Sequence, residues 1–195
     1  MKLLAVLAAT ALAAAALPQE VATLNAAIPA AKDATIVISS SSCPACPESN
    51  CNKCTWGTNS TLATSTSATT VMRALIGFTL DFDGSLVKTC TLQIPGFDPK
   101  TTVDGTINVN QAENKDWDEA TVDGENAPAV WGQAASVAVP AYSNLPAVDI
   151  SQICRSSQNR QFSVYLTSPG TQYTIPSKDS GNPAILQVVR YLKAQ

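Results

Sequence analysis

An all-β fold is predicted, a single jelly-roll-like β-sandwich stapled by disulfides and preceded by a signal peptide. Three observations predict it. Apolar residues alternate with polar ones in short runs bounded by Gly, Pro, Asn or Asp, the period of half-buried strands. After residue 33, no stretch keeps apolar residues at helical spacing for three turns. Six cysteines follow a leader of secretory type, and an even count in an exported chain reads as disulfides.

The leader occupies residues 1–16. Lys2 gives a basic start, Leu3 to Ala15 form an apolar run broken only by Thr10, and Ala13 to Ala16 are small. The run is too short for a bilayer span of about 20 residues, and Pro18, Gln19 and Glu20 follow where an anchor wants basic residues. An Ala-x-Ala site at Ala14 to Ala16 places cleavage before Leu17. Export removes Lys2, one of twelve basic residues, and none of fifteen acidic ones, leaving eleven against fifteen. That negative balance argues against nucleic acid or an anionic membrane as partner. The C-terminal residues Arg190 and Lys193 interrupt what a lipid-anchor signal would need as an unbroken apolar tail, so no membrane anchor is expected in the mature chain.

Residues 17–33 read as an N-terminal lead-in, with one short helical turn around Val21 to Ala27. The sandwich is expected over 34–195. Its clearest strand is Val71 to Leu80, with Met72, Ala74, Ile76, Phe78 and Leu80 on one face, taken as the core face. The same period groups Cys90 with Leu92 and Ile94, Ile107 with Val109, Val137 with Val139, and Phe162 with Val164 and Leu166. Thr58 to Thr70 reads as a Ser/Thr loop, and Ala147 to Ile153 as a short strand. Asp83-Gly84, Pro95-Gly96, Asp104-Gly105, Asp123-Gly124 and Pro169-Gly170 mark turns.

Four cysteines cluster as Cys43, Cys46, Cys51 and Cys54, and two stand apart at Cys90 and Cys154. Two Cys-x-x-Cys pairs could complete a four-thiolate zinc site, but only four residues separate the pairs and export passes through an oxidising compartment. No metal is therefore assigned to the thiols, and a redox Cys-x-x-Cys would need a βαβ context absent here. Cys90 faces inward on its strand and Cys154 follows the 147–153 segment, so these two are expected to form the long-range bridge. The other four would bridge among themselves in one of three pairings.

The chain has no histidine, which removes Ser-His and Cys-His nucleophiles and imidazole bases. No Gly-rich phosphate loop is present. What remains for catalysis is paired carboxylates, with Asp81 and Asp83, or Asp116, Asp118 and Glu119, as the clusters that could flank a glycosidic bond. Asp83-Gly84 is first a turn. Glu113 to Glu125 holds six acids against one lysine and reads as a solvated acidic loop. Calcium is the ion its oxygens would take, and no other cofactor is expected. Three tryptophans, Trp56, Trp117 and Trp131, lie in or beside loops, where an exposed ring can stack on the apolar face of a sugar. Asn59-Ser60-Thr61 is a glycosylation sequon.

The order of these segments resembles carbohydrate-binding module family 96, also described as the DNRLRE domain. The matching pieces are Ala34-Thr35-Ile36-Val37, Gly57-Thr58-Asn59-Ser60-Thr61-Leu62 and Arg73-Ala74-Leu75-Ile76-Gly77-Phe78-Thr79-Leu80. They continue with Cys90 to Ile94, Trp117-Asp118-Glu119-Ala120-Thr121-Val122 with Asn126-Ala127-Pro128, Val148 to Ile150, Phe162 to Leu166, and Ser177-Lys178-Asp179 before Pro183 to Leu186. Asp123-Gly124 replaces the family's second tryptophan, and the cysteine-rich insert 43–54 has no counterpart. The resemblance implies a secreted sandwich and a polysaccharide or cell-wall glycan partner, with Arg73, Trp117 and Glu119 at pattern positions that build the fold. Trp56, Arg73, Trp117 and Trp131 are the candidate ligand contacts, with Trp56, between the cysteine cluster and the Thr-rich loop, and Arg73 put first, and no residue is assigned to catalysis. The rival readings are a structural or adhesive surface protein without sugar specificity, and a carboxylate-dependent polysaccharide lyase or hydrolase.

Overall fold

The computed structural model describes residues 22–113, 116–157 and 159–192. The leader and its cleavage site lie outside these residues. The described residues form eleven strands and one short α-helix, with a few 3-10 turns: β1 (Thr23–Pro29), β2 (Lys32–Ser39), β3 (Thr61–Thr66), β4 (Thr70–Thr79), β5 (Val87–Gln93), β6 (Gly105–Ala112), β7 (Val130–Val139), β8 (Val148–Asp149), α1 (Ser151–Arg155), β9 (Gln161–Thr167), β10 (Tyr173–Pro176) and β11 (Ile185–Tyr191). Two antiparallel sheets make the sandwich. The smaller runs β1-β11-β5-β8, and the larger runs β10-β3-β4-β9-β6-β7, with β2 also paired to β4.

The period-two runs supply the layer between the sheets. Ala74, Ile76 and Phe78 of β4, Cys90 and Leu92 of β5, Ile107 and Val109 of β6, Phe162, Val164 and Leu166 of β9, and Leu186 and Val188 of β11 are all buried in one cluster. Residues two apart share a face, so each run presents one apolar edge to this layer.

The second face of β4 is also buried, where one core face was expected. Leu75 joins Ala34 and Ile36 of β2, Ala112, Tyr165 of β9, Trp117 and Val122 in a separate apolar cluster on the other side of the large sheet. The chain between β6 and β7 supplies Trp117 and Val122 and covers that side. Tyr165 donates its hydroxyl to Pro128 O at 2.6 Å, and burial pushes its pKa up to about 12.

Three further expectations are corrected. The helical turn around Val21 to Ala27 gives way to β1, which pairs with β11 from Thr23↔Tyr191 to Pro29↔Ile185. It lies on the edge of its sheet and is largely exposed, so it has little inward-outward alternation to read. The Ser/Thr loop contains β3, whose Leu62 and Thr64 are buried between β10 and β4. Threonine is β-branched and suits a pleated surface as well as a loop. The strand expected over 147–153 ends at Asp149, because the Asp149 carboxylate accepts from Ser151 N at 2.8 Å and Ser151 Oγ at 2.5 Å, and the chain turns into α1.

All six cysteines are bridged. Cys90–Cys154 ties β5 to α1, as expected, across a sequence separation of 64. The clustered four pair as Cys43–Cys51 and Cys46–Cys54, so the two bridges interlace. The stapled loop is docked by Asn52, whose side-chain oxygen accepts from Ser39 N at 2.7 Å and whose carbonyl accepts from Gly124 N at 2.7 Å.

Candidate functional site

The two edges of the sandwich that matter here are β7, the last strand of the large sheet, and β8 with α1, at the end of the small one. The pairing of β7 with β6 slips twice. Val109 pairs with Ala135 but Asn110 with Gln133, and Gln111 pairs with Gly132 but Ala112 with Val130. Each slip leaves one extra residue on β7, first Ala134 and then Trp131. A bulge of this kind re-aims its side chain and bends the strand. Trp131 is accordingly 75% exposed, a large apolar ring held out from a strand rather than from a mobile loop.

Beside Trp131 lies a cleft of ≈ 520 Å³. Gln111 and Gln133 line it from the large sheet, and Asp149, Gln152 and Arg155 from β8 and α1. The wall made by α1 is fixed from beneath. Cys154 is bridged to Cys90, and Ser151 Oγ accepts from Cys90 N at 2.8 Å while donating to Asp149. These bonds to Ser151, the side-chain one foremost, hold the Asp149 carboxyl below its ordinary pKa and so ionised at neutral pH. Arg155 is fastened by donating Nε to Val87 O at 3.0 Å and Nη2 to Lys88 O at 2.6 Å. The glutamine amides offer both donors and acceptors at the rim. Gly132, in the floor, has nothing within 4 Å of where a Cβ would stand.

The other sequence candidates fall elsewhere. Trp117 is only 7% exposed, and its Nε1 donates to Ser163 Oγ at 2.9 Å. Its ring is capped by Lys32 Nζ, 4.4 Å from the centroid, and Lys32 also bonds Trp117 O and pairs with Asp116 at 3.2 Å. The ring is packed into the second apolar cluster with an ammonium over one face, which fits its place as a fold-building position better than an open stacking platform. Trp117 also borders a second, polar cleft of ≈ 430 Å³ beside Gln161 and Asn159. Trp56 is half-buried and its Nε1 is buried. Arg73 is half-buried on β4 with its charge near Tyr165. Neither lines the Trp131 cleft. Asn59 is exposed, and its carbonyl accepts from Ser177 Oγ at 2.6 Å.

Three of the carboxylates offered for catalysis, Asp83, Asp118 and Glu119, hold parts of the fold together. Asp83 accepts from Ser85 N at 2.9 Å, Asp118 from Ala120 N at 3.0 Å and Thr121 Oγ1 at 3.2 Å, and Glu119 from Asp33 N at 2.7 Å. Of the acidic loop, Glu119 is thus tied into the sandwich, against the expectation of a loop solvated throughout. Gly57 approaches the same segment so closely that a Cβ would stand 1.9 Å from Glu119 O.

A disulfide-stapled β-sandwich that presents a fixed aromatic ring over an amide-lined cleft has the build of an extracellular carbohydrate-binding module. Comparison with known proteins agrees. The chain belongs to carbohydrate-binding module family 96, whose family model matches residues 48–190. It is also 45% identical over 159 residues to an uncharacterized secreted protein of Arthroderma benhamiae, spanning 81% of this chain and 82% of that one. Like this relative, the chain is secreted. Among the described residues no helix is long and apolar enough to cross a membrane.

Proposed function

We propose that this secreted module binds polysaccharide of the extracellular matrix or cell wall without turning it over, and that the Trp131 cleft is where it does so. The observation that carries the reading is the ring itself: a side chain 75% exposed, aimed outward by a bulge, above a wall that a disulfide holds in place. A pyranose ring stacks its apolar face on the indole while its hydroxyls meet Gln111, Gln133 and Gln152. Support for the non-catalytic part comes from the absence of histidine and from the structural duties of Asp83, Asp118 and Glu119.

The test is retention of the purified mature chain on a panel of soluble and insoluble polysaccharides. Trp131→Ala is expected to weaken binding by roughly tenfold or more, as loss of a central aromatic anchor does, with unfolding temperature unchanged. Trp56→Ala, outside the cleft, is expected to bind as the parent does. Retention on no polysaccharide, or retention indifferent to Trp131→Ala, would sink the assignment, and release of reducing sugar would sink its non-catalytic part.

The module is further proposed to be a glycoprotein, modified at Asn59, whose exposed side chain precedes β3 and leaves the sequon open to a transferase. Protein secreted from a eukaryotic host is expected to lose mass on treatment with peptide N-glycosidase, and Asn59→Gln to remove that difference.

A further inference from the structure

Away from the cleft, the fold gathers three carboxylates from distant parts of the chain. Asp33 comes from β2, Glu119 from the crossing between β6 and β7, and Asp179 from the turn after β10. One oxygen from each lies within 4.8 Å of the others. Lys178 Nζ sits among them, 2.9 Å from Glu119 Oε2 and 2.8 Å from Asp179 Oδ1. Three negative charges thus face one positive charge, and the cluster is left two short of neutral.

Asp33 is the residue that a surface ion-pair network does not explain. It is 1% exposed. Its Oδ2 accepts from Lys178 N at 2.7 Å, but its Oδ1 is buried without a hydrogen-bond partner. A buried carboxylate oxygen left unpaired is costly, and the ammonium that might have met it is bonded to Glu119 and Asp179 instead.

We propose that this cluster is a site for a divalent cation of the calcium class, held by Asp33 Oδ1, Glu119 Oε2 and the Asp179 carboxylate, with the Lys178 ammonium leaving as the ion enters. All three donors are hard oxygens, with no thiolate or imidazole to favour zinc or copper. The oxygens named keep the backbone bonds made by the others, since Asp33 Oδ2 stays on Lys178 N and Glu119 Oε1 stays on Asp33 N. With the ammonium gone, a two-plus ion leaves the three carboxylates one charge short of neutral, where the ammonium left them two short. Calcium takes six to eight oxygens, so water fills the coordination that these carboxylates leave. Lys178 belongs to a three-residue turn, Lys178–Ser180, from which its long side chain can swing to solvent. The ion would then join β2, the covering segment and the C-terminal turn at one point.

The experiment is titration of chelator-treated mature protein with calcium chloride, followed by calorimetry and by thermal unfolding. Saturable binding with a raised unfolding temperature is expected. Asp33→Asn should weaken affinity by roughly tenfold or more, and Asp179→Asn, at the exposed side of the cluster, provides the same test should Asp33→Asn fail to fold. Lys178→Met should bind more tightly than the parent, because the competing ammonium is gone; a cluster that is only an ion-pair network would lose stability in this variant and gain no affinity. No calcium response in the parent, a response that the carboxylate variants leave intact, or no gain in Lys178→Met would each overturn the proposal.

Discussion

Asp149 shows how a single carboxylate serves both architecture and site. It stops β8, starts α1 through Ser151, and stands at the rim of the Trp131 cleft. Because its folded pKa is depressed, it contributes stability that is fully present above the ordinary aspartate value of about 4 and is lost as pH falls through the lower folded value. Denaturant midpoints of the parent and of Asp149→Asn, measured across acid pH, should therefore converge as pH is lowered and separate above about pH 4. The converse result, a gap that widens on acidification, would rule this coupling out. At this scale the sequence was informative but undiscriminating. It marked three tryptophans by their loop surroundings, and nothing in those surroundings separates Trp131, which is exposed, from Trp117, which is buried under Lys32. The difference arises from pairing register with β6 and from a lysine 85 positions away in the chain.

Among the elements, strands with a clean inward-outward period could be read directly, since Ile76, Val164 and Val109 stand in the layer their spacing assigns them. The elements that escaped had lost that period for physical reasons. β1 is an exposed edge, β3 is built largely of threonine and serine, and the outer face of β4 is apolar only because another segment covers it. The α1 wall of the cleft depends on Cys90–Cys154 in a way the other bridges do not share. Closing 64 residues, this bridge is expected to contribute about 4 kcal/mol through the unfolded state, and each eight-residue bridge about 2.5 kcal/mol. Replacing Cys90 and Cys154 by alanine together should lower both the unfolding midpoint and polysaccharide retention. Replacing Cys43 and Cys51 should lower the midpoint by less and leave retention intact. Equal effects on retention would show that the wall is not held by its bridge.

On the scale of the whole molecule, the sandwich is thicker than two sheets. A main apolar layer lies between them, and a second is enclosed by the chain between β6 and β7. The leader, the even cysteine count and the lack of histidine already pointed outside the cell and away from imidazole chemistry. The second layer was hidden, because its covering segment is rich in acids and reads as a surface. The acid excess also bears on binding. Arg155, the cation at the cleft, is bonded to two backbone carbonyls, and the chain as a whole is negative. Retention on neutral polysaccharides should therefore change little with added salt, whereas any retention on polyuronates should improve as salt screens mutual repulsion. Affinity electrophoresis in gels with and without sodium chloride measures both, and a neutral ligand that salt elutes would contradict it.

The interlaced bridges of the 43–54 loop carry a different consequence. Had Cys43 joined Cys46 and Cys51 joined Cys54, one cut between residues 46 and 51 would leave the two halves of the loop with no covalent tie between them. With Cys43 on Cys51 and Cys46 on Cys54, a cut at any bond from 43 to 54 is spanned by at least one bridge. The loop can be nicked by a protease without being opened.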